Sequence, residues 1–204
     1  MRHNPYFESD DPELVRGLIR ENPWGILVSS GPAGLVASHY PVMLDEGAAE
    51  LAVLTHVGRP DEELHGFGDQ EMMLVLQGVH GYISPSWYAP GESPVPTWNF
   101  VTAHCYGVPE LLDERTNLAT LAELVSHFER HVENPVLLEE RWAASIAKGT
   151  VGLRLVISRF QCKVKLSQNK GEQTRRQVIE ALSAPGPYRN MALAAEMSRT
   201  LPPR

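Results

Sequence analysis

The sequence predicts a mainly β fold of the α+β class, in which an antiparallel β-barrel is flanked by helices. Three observations support this prediction. There are six or seven strand-like segments, the helix patterns are confined to the two ends and one late insertion, and strands do not alternate with helices. A doubly wound parallel sheet would require that alternation, whereas a closed antiparallel barrel does not.

A helix is predicted near the amino terminus. Asp11 is a capping acid and Pro12 suits the first turn, and ELVRGLIREN follows with an apolar stripe at Leu14, Leu18 and Ile19. This stripe predicts one helical face packed on the barrel.

Strand patterns follow this helix. They occupy WGILVSS (24–30), LVASHYPVML (35–44) and AELAVLTHV (49–57), and the turn GPAG (31–34) joins the first two. RPDEELHGF (59–67) predicts a short helical turn that ends at a glycine, Gly66 or Gly68.

The second half predicts strands around a helical insertion. The segment 71–84 is apolar and interrupted by Gly78, so it predicts one bulged strand or two strands. The remaining predictions are a Pro/Gly-rich loop at 85–96, a strand at 97–112, two helices within 115–148 separated by Asn134-Pro135, one or two strands at 149–167, and a helical tail from 172 broken by APGP.

This pattern predicts a barrel domain over 1–170, with the helical insertion at about 115–148. A basic helical tail over 171–204 is then expected to pack on the barrel or on a partner subunit.

Charge is unevenly distributed along the 204 residues, whose formal net charge is −7. Residues 1–150 hold 8 basic and 22 acidic residues, and residues 151–204 hold 10 basic and 3 acidic residues. A basic tail on an acidic body is compatible with nucleic-acid binding or with docking on an acidic surface, its own or a partner's. The absence of a helix-turn-helix or zinc-finger pattern favours docking over nucleic acid.

Several classes of protein lack sequence support. No apolar run approaches the roughly 18–20 residues of a membrane span, and the amino terminus has no apolar signal core, so we expect a cytoplasmic protein without a membrane segment. Cys105 and Cys162 form no CxxC pattern and are expected to be buried thiols. No GxGxxG, P-loop, GxSxG or HExxH motif occurs.

Two stretches are dense in functional chemistry. Residues 78–100 combine a rigid Pro/Gly loop with polar and aromatic side chains: His80, Tyr82, Ser84, Trp87, Trp98 and Asn99. They suit either a flat ligand or a packed hairpin with core tryptophans. KVKLSQNK (163–170) offers lysine, serine and amide donors, which suit a carboxylate or phosphate or a solvated strand end.

The acidic turn RPDEELHGFGD (59–69) contains a single histidine, His65. It is either solvated surface or an inward-facing imidazole that holds a ligand.

HGYISPSWY (80–88), VPTWNF (95–100) and KLSQNK (165–170) resemble the signatures of the PaiB-like proteins. NPYF (4–7), SHYPVML (38–44) and ENPVLLEE (133–140) do so as well, and the resemblance runs over about residues 5–200. It implies a split β-barrel of the FMN-binding type, a homodimer with cofactor sites at the subunit interface, and, for many members, a role as FMN-binding negative transcriptional regulators.

The chain departs from the family pattern in the acidic turn. Members commonly continue this strand with ARANPQW, whereas this chain keeps Thr55, His56 and Arg59 and places His65 near the lost residues. This departure resembles a subgroup of haem-dependent piperazate synthases, which close N5-hydroxy-L-ornithine through an N–N bond. The resemblance implies haem b, with FMN as the alternative cofactor.

The same resemblance implies roles for single residues. His65 would be the axial iron ligand, with Asp61 or Glu62 on its other ring nitrogen. The remaining implied residues are Trp98 against the porphyrin, Arg59 and Lys165 with propionates or the substrate carboxylate, His56 and His80 at the cofactor, and Tyr82 and Ser84 as distal proton donors.

Overall fold

The computed structural model describes residues 1–31, 34–68, 70–136 and 138–202. Its strands are β1 (Glu8–Ser9), β2 (Trp24–Gly31), β3 (Gly34–Pro41), β4 (Met43–Leu44), β5 (Ala52–Gly58), β6 (Met72–Ile83), β7 (Thr97–Gly107), β8 (Pro109–Leu111), β9 (Thr150–Val156) and β10 (Arg159–Lys165). Its helices are α1 (Pro12–Glu21), α2 (Arg59–His65), α3 (Glu114–Glu129), α4 (Glu140–Ala147), α5 (Glu172–Ser183) and α6 (Met191–Arg199), with a 3-10 turn at Pro85–Trp87.

Most predicted elements occur where the patterns place them. The segment 71–84 is the single strand β6 despite Gly78, and 149–167 divides into β9 and β10. The described part of the chain has ten strands rather than six or seven, because β1, β4 and β8 are too short to show a periodic pattern.

Three local predictions were wrong. The predicted single strand 97–112 divides into β7 and β8 on either side of Val108. Leu14 is 40% exposed, and Val15 takes its place on the buried face of α1. The segment 35–44 is not one strand, because Val42 turns its backbone N–H to the carbonyl of Pro23, at 2.9 Å, and so separates β3 from β4.

Some predictions involve residues outside the described ranges. Pro32 and Ala33 belong to the predicted GPAG turn, Asp69 to the acidic stretch 59–69, and Leu137 to the ENPVLLEE signature. The last two residues of the predicted tail, 203–204, also lie outside them.

The chain divides into two compact units. Unit 1 comprises Met1–Asp11, Gln77–Ala103 and Gln161–Arg204, and unit 2 comprises Pro12–Leu76 and His104–Phe160.

In unit 1 the strand order is β1, β10, β7, β6, and β1 pairs antiparallel with β10. Helices α5 and α6 pack on each other, and α5 also contacts the 3-10 turn. The core contains fully buried apolar side chains from β6, the 165–170 segment and both helices, among them Ile83, Leu166, Val178, Leu193 and Met197.

In unit 2, β2 pairs antiparallel with β3 on one side and with β6 on the other. A second antiparallel sheet has the order β4, β5, β9, β8. Helix α3 packs on this sheet, where Leu124 joins Met43 and Leu54 in a buried cluster.

Cys105 and Cys162 are buried thiols, as expected. Among the described residues, none of the helices has the length and apolar character needed to cross a bilayer.

An arginine links the second sheet to its connections. Arg154 of β9 donates to Asp45 at 2.7 Å, to Glu50 at 3.3 Å and to Glu110 at 3.4 Å, and only 21% of its side chain is exposed. These carboxylates, Asp45 first, raise the pKa of the Arg154 guanidinium above its usual range.

Arg154→Met should lower the free energy of unfolding by about 1–3 kcal/mol, because three carboxylates lose one charged hydrogen-bonding partner. Urea denaturation measures this change. Arg141→Met is the matched control, since Arg141 forms an exposed pair with Glu139 and should change stability little. Equal effects of the two substitutions would contradict a special role for Arg154.

Candidate functional site

The predicted site residues are distributed over both units. Unit 1 contains His80, Tyr82, Ser84, Trp98 and Lys165. Unit 2 contains His56, Arg59 and His65.

His65, the last residue of α2, faces inward and is completely buried. Helix α2 ends there because Gly66 adopts the left-handed conformation, with φ 62°, and donates its N–H to the carbonyl of Glu62 at 3.0 Å. This confirms the predicted helical turn and its glycine end, and it contradicts the solvated-surface interpretation of His65.

Both ring nitrogens of His65 have hydroxyl partners. Nδ1 lies 2.8 Å from Ser29 Oγ of β2, and Nε2 lies 2.9 Å from Ser38 Oγ of β3. One ring face stacks on Phe67, with centroids 5.1 Å apart and planes 6° apart. A neutral imidazole donates from one nitrogen and accepts at the other, and serine hydroxyls can match either role.

The expected carboxylate partners of His65 are not the ones observed. Asp61 instead accepts a hydrogen bond from the Tyr40 hydroxyl at 2.9 Å, and Glu62 lies 3.8 Å from Arg59. Burial lowers the pKa of His65, and the charge of Asp61 opposes this in part. His65 is therefore a neutral imidazole near pH 7.

His56 and Arg59 are at the end of β5 and the start of α2. His56 is partly buried, its Nδ1 has no hydrogen-bond partner among the described residues, and burial lowers its pKa. The guanidinium of Arg59 is largely exposed and donates to the Lys148 carbonyl at 2.8 Å. Arg59 thus ties α2 to the turn before β9.

Unit 1 brings four aromatic rings together. Trp98 of β7 stacks near His80 of β6, with centroids 6.4 Å and planes 25° apart, and meets Tyr82 edge-on at 6.3 Å. Tyr188, in the loop between α5 and α6, lies 5.4 Å from Tyr82. These rings line a cavity of about 400 Å³, called here the aromatic pocket.

Part of the aromatic pocket was not predicted. Tyr188, Arg189 and Asn190 come from the APGPYRN segment, which the sequence marked only as a break between helices. Asn190 fixes this loop by donating to the carbonyl of His80 at 2.9 Å. The aromatic Tyr188 directly after Pro187 was the sequence feature that could have indicated this part of the pocket.

Ser84 performs a structural task outside the aromatic pocket lining. Its hydroxyl accepts from the Ser86 N–H at 3.2 Å and lies 2.8 Å from the Ser86 hydroxyl. It therefore caps the 3-10 turn.

The KLSQNK signature meets β7 through buried polar pairs. The amide of Asn99 donates to the Ser167 hydroxyl at 2.9 Å, and both side chains are buried. Lys165 donates to Thr97 Oγ1 and, at 2.7 Å, to the Trp98 carbonyl. The signatures that are distant in sequence are thus neighbours in unit 1.

The chain is similar to known proteins over most of its length. Residues 1–159 match the family model described as "Putative FMN-binding domain". The protease synthase and sporulation protein PAI 2 of Bacillus subtilis is 32% identical over 181 residues, which cover 87% of this chain and 86% of that protein.

The chain belongs to the PaiB-like FMN-binding family. The flavocytochrome Anf3 from Azotobacter vinelandii has a TM-score of 0.61 at 16% identity, covering 81% of this chain and 72% of that chain. The FAD and heme binding protein from Mycobacterium smegmatis has a TM-score of 0.59 at 15% identity, covering 78% and 73%. These likenesses concern the fold, and the predicted split-barrel class with flanking helices is confirmed.

Among the described residues, no group of three or more His, Cys, Asp or Glu side chains could hold a metal ion.

His65→Leu should destabilise the protein by about 2–4 kcal/mol, because two largely buried serine hydroxyls lose their partner. Urea denaturation provides the measurement, with His131→Leu as the control, since His131 is exposed. Adding Ser29→Ala and Ser38→Ala to His65→Leu should recover part of the loss, because the unsatisfied hydroxyls are then removed. No recovery would argue against the hydroxyl pairing.

The same variant has a pH signature. Since the pKa of His65 is lower in the folded chain, the unfolded chain takes up its proton first as the pH falls below about 6.5. Its stabilising contribution is therefore complete above that pH and declines as the pH falls through the lower folded pKa. In His65→Leu the free energy of unfolding should fall less steeply between pH 7 and 5 than in the wild-type protein. An unchanged slope would mean that other histidines cause the pH dependence.

Proposed function

We propose that this protein binds FMN, with the flavin ring in the aromatic pocket. The observation that carries the proposal is the meeting of His80, Tyr82, Trp98 and Tyr188 around one cavity in a chain of the FMN-binding family. A flat heteroaromatic ring gains most from such walls, because it can stack on one ring and meet others edge-on.

The dimensions and chemistry of this pocket fit a flavin. Its volume of about 400 Å³ falls within the range of small-molecule sites, about 300–1,000 Å³. Trp98 is 54% exposed and Tyr188 52% exposed, so an incoming ring would cover apolar surface that is now solvated. Arg189 and Asn190 also line the pocket and offer hydrogen-bond donors to polar ring edges.

Bound FMN would supply one- or two-electron redox chemistry. The contribution of the chain is to bind and orient the ring: Trp98 offers a stacking surface, and the Asn190 bond to the His80 backbone holds the loop that carries Tyr188. We therefore expect mutation of these residues to change flavin affinity.

We favour flavin binding over a DNA-binding regulator because part of the basic charge in residues 151–204 is already paired with acidic side chains. Lys170 pairs with Glu92, Arg176 with Glu172 and Arg199 with Glu196. Paired cations release fewer counterions from DNA, so they contribute less to its binding.

Trp98→Ala should weaken FMN binding by about tenfold, because the ring loses its main stacking surface. Titration of FMN fluorescence measures the dissociation constant. Trp142→Ala is the matched control, since Trp142 is similarly exposed but belongs to α4 in unit 2. A purified chain that does not bind FMN would refute the function, and equal affinity of the Trp98 variant would refute the location.

A second candidate is a haem-dependent piperazate synthase acting on N5-hydroxy-L-ornithine, with His65 as the axial ligand. The inward burial of His65 in the turn that departs from the family favours it. The donor atoms do not fit an axial role in this arrangement, because both ring nitrogens are hydrogen-bonded and the ring is fully buried. We therefore derive no catalytic step for haem.

From this geometry we expect added haem to give no Soret band that depends on His65. The measurement is the visible spectrum of the wild-type protein and of His65→Gln after haem addition, together with an assay for closure of N5-hydroxy-L-ornithine. His80→Gln controls for a different histidine ligand. If the Soret band and the ring closure disappear only in His65→Gln, the synthase is supported. In that case His65 must break its hydrogen bond to Ser29 or to Ser38 when it binds iron.

A further inference from the structure

Strand β7 presents two different faces to unit 1. Successive side chains of a strand point to opposite faces of the sheet. Trp98 therefore points to one face, toward the aromatic pocket, whereas Thr97 and Asn99 point to the other. The opposite face has its own cavity of about 250 Å³, called here the Lys165 pocket.

The Lys165 pocket is polar and carries positive charge. Its lining is rich in hydrogen-bond donors, from Tyr88, Ser93, Thr97, Asn99, Lys165, Ser167, Asn169 and Lys170. None of these side chains is a carboxylate. The cavity is smaller than the aromatic pocket, so its size suits a small charged group better than a flavin ring.

The two lysines of this pocket differ in how their charges are balanced. Lys170 pairs with Glu92 at 3.0 Å and lies over the ring of Tyr88. Lys165 is partly buried and bonds only to neutral oxygens, Thr97 Oγ1 and the Trp98 carbonyl, with no acidic partner within ion-pair distance among the described residues. An ammonium has three donors, so Lys165 keeps one for a further acceptor.

The backbone holds this arrangement at a conformational cost. Ser167 has φ 63°, the one positive φ outside glycine in the described residues, and is buried. Its hydroxyl is fixed by Asn99, and its carbonyl accepts from the Lys170 N–H at 3.0 Å. Left-handed non-glycine residues cost about 1–3 kcal/mol and persist where surrounding contacts dictate them, often at ligand sites.

Burial and the nearby charge of Lys163 lower the pKa of Lys165. A bound anion would compensate both effects, because it would supply the negative charge that the pocket lacks.

We propose that the Lys165 pocket binds an oxyanion, a carboxylate or phosphate group of a second ligand separate from the flavin. The ammonium of Lys165, which has no acidic partner, is its principal contact, and the Thr97 hydroxyl and the Asn169 amide complete the shell. This site goes beyond flavin binding and does not depend on it, because the two pockets lie on opposite faces of β7.

Calorimetric titration with inorganic phosphate, and separately with acetate, tests the proposal and identifies which oxyanion fits. Lys165→Met should weaken binding of the better probe by about tenfold or more, because one charged hydrogen bond is lost. Lys163→Met is the matched control. It removes the same charge two residues away on β10, where Lys163 instead donates to the Arg2 carbonyl at 2.9 Å. Because that charge acts on the pocket only at a distance, Lys163→Met should weaken binding far less than Lys165→Met.

A second variant separates loss of binding from loss of folding. Val95 lines the pocket and is 61% exposed, so Val95→Trp should block the cavity while leaving Lys165 and its bonds in place. Loss of oxyanion binding in Val95→Trp, with an unchanged melting temperature, supports the site even if Lys165→Met unfolds.

Flavin titrations distinguish this proposal from the proposed function. FMN binding should be unchanged in Lys165→Met and Val95→Trp, and phosphate should not compete with FMN. Competition between phosphate and FMN would overturn the proposal of a separate site, because it would mean that the Lys165 pocket binds the phosphate group of FMN. Equal oxyanion binding by wild type, Lys165→Met and Val95→Trp, or no binding of either probe to wild type, would also overturn it.

Discussion

The arrangement of unit 1 depends on one buried polar pair, the amide of Asn99 and the hydroxyl of Ser167. Both side chains are almost completely buried, so each finds its hydrogen-bond partner inside the protein. Their 2.9 Å hydrogen bond joins β7 to a segment 68 residues later and holds Ser167 in its left-handed conformation. The turn at Ser167 changes the direction of the backbone, so that Lys165 and Lys170 line the same cavity.

This pairing also explains why a single strand can serve two pockets. Once Asn99 is buried against Ser167, the alternation of β7 directs Thr97 to the same face and Trp98 to the other. The VPTWNF and KLSQNK signatures are therefore one structural unit, in which a shift of register by one residue would exchange the aromatic and cationic faces. HGYISPSWY joins it by placing His80 and Tyr82 beside Trp98.

The sequence predicted features determined locally, and it missed those determined by distant contacts. Helix α2 and its glycine end could be predicted because the capping chemistry lies within a few residues. The inward orientation of His65 was a hypothesis, but its partners Ser29 and Ser38 lie on strands 36 and 27 residues away, and no pattern indicated them. Tyr188 reaches the aromatic pocket only through tertiary packing of a tail loop, so composition could not place it there.

The placement of His65 gives its turn a structural role. A neutral imidazole between two hydroxyls satisfies the buried hydroxyl of Ser29 and the partly buried hydroxyl of Ser38, and it fastens α2 to β2 and β3. An axial bond to iron would free one serine at about 1–3 kcal/mol, a cost that metal ligation could offset. The larger obstacle is steric, since the ring has no exposed surface and Phe67 covers one face. A macrocycle could reach the ring only if contacts with Ser29, Ser38 or Phe67 opened, so this packing is the constraint against which a haem role must be judged.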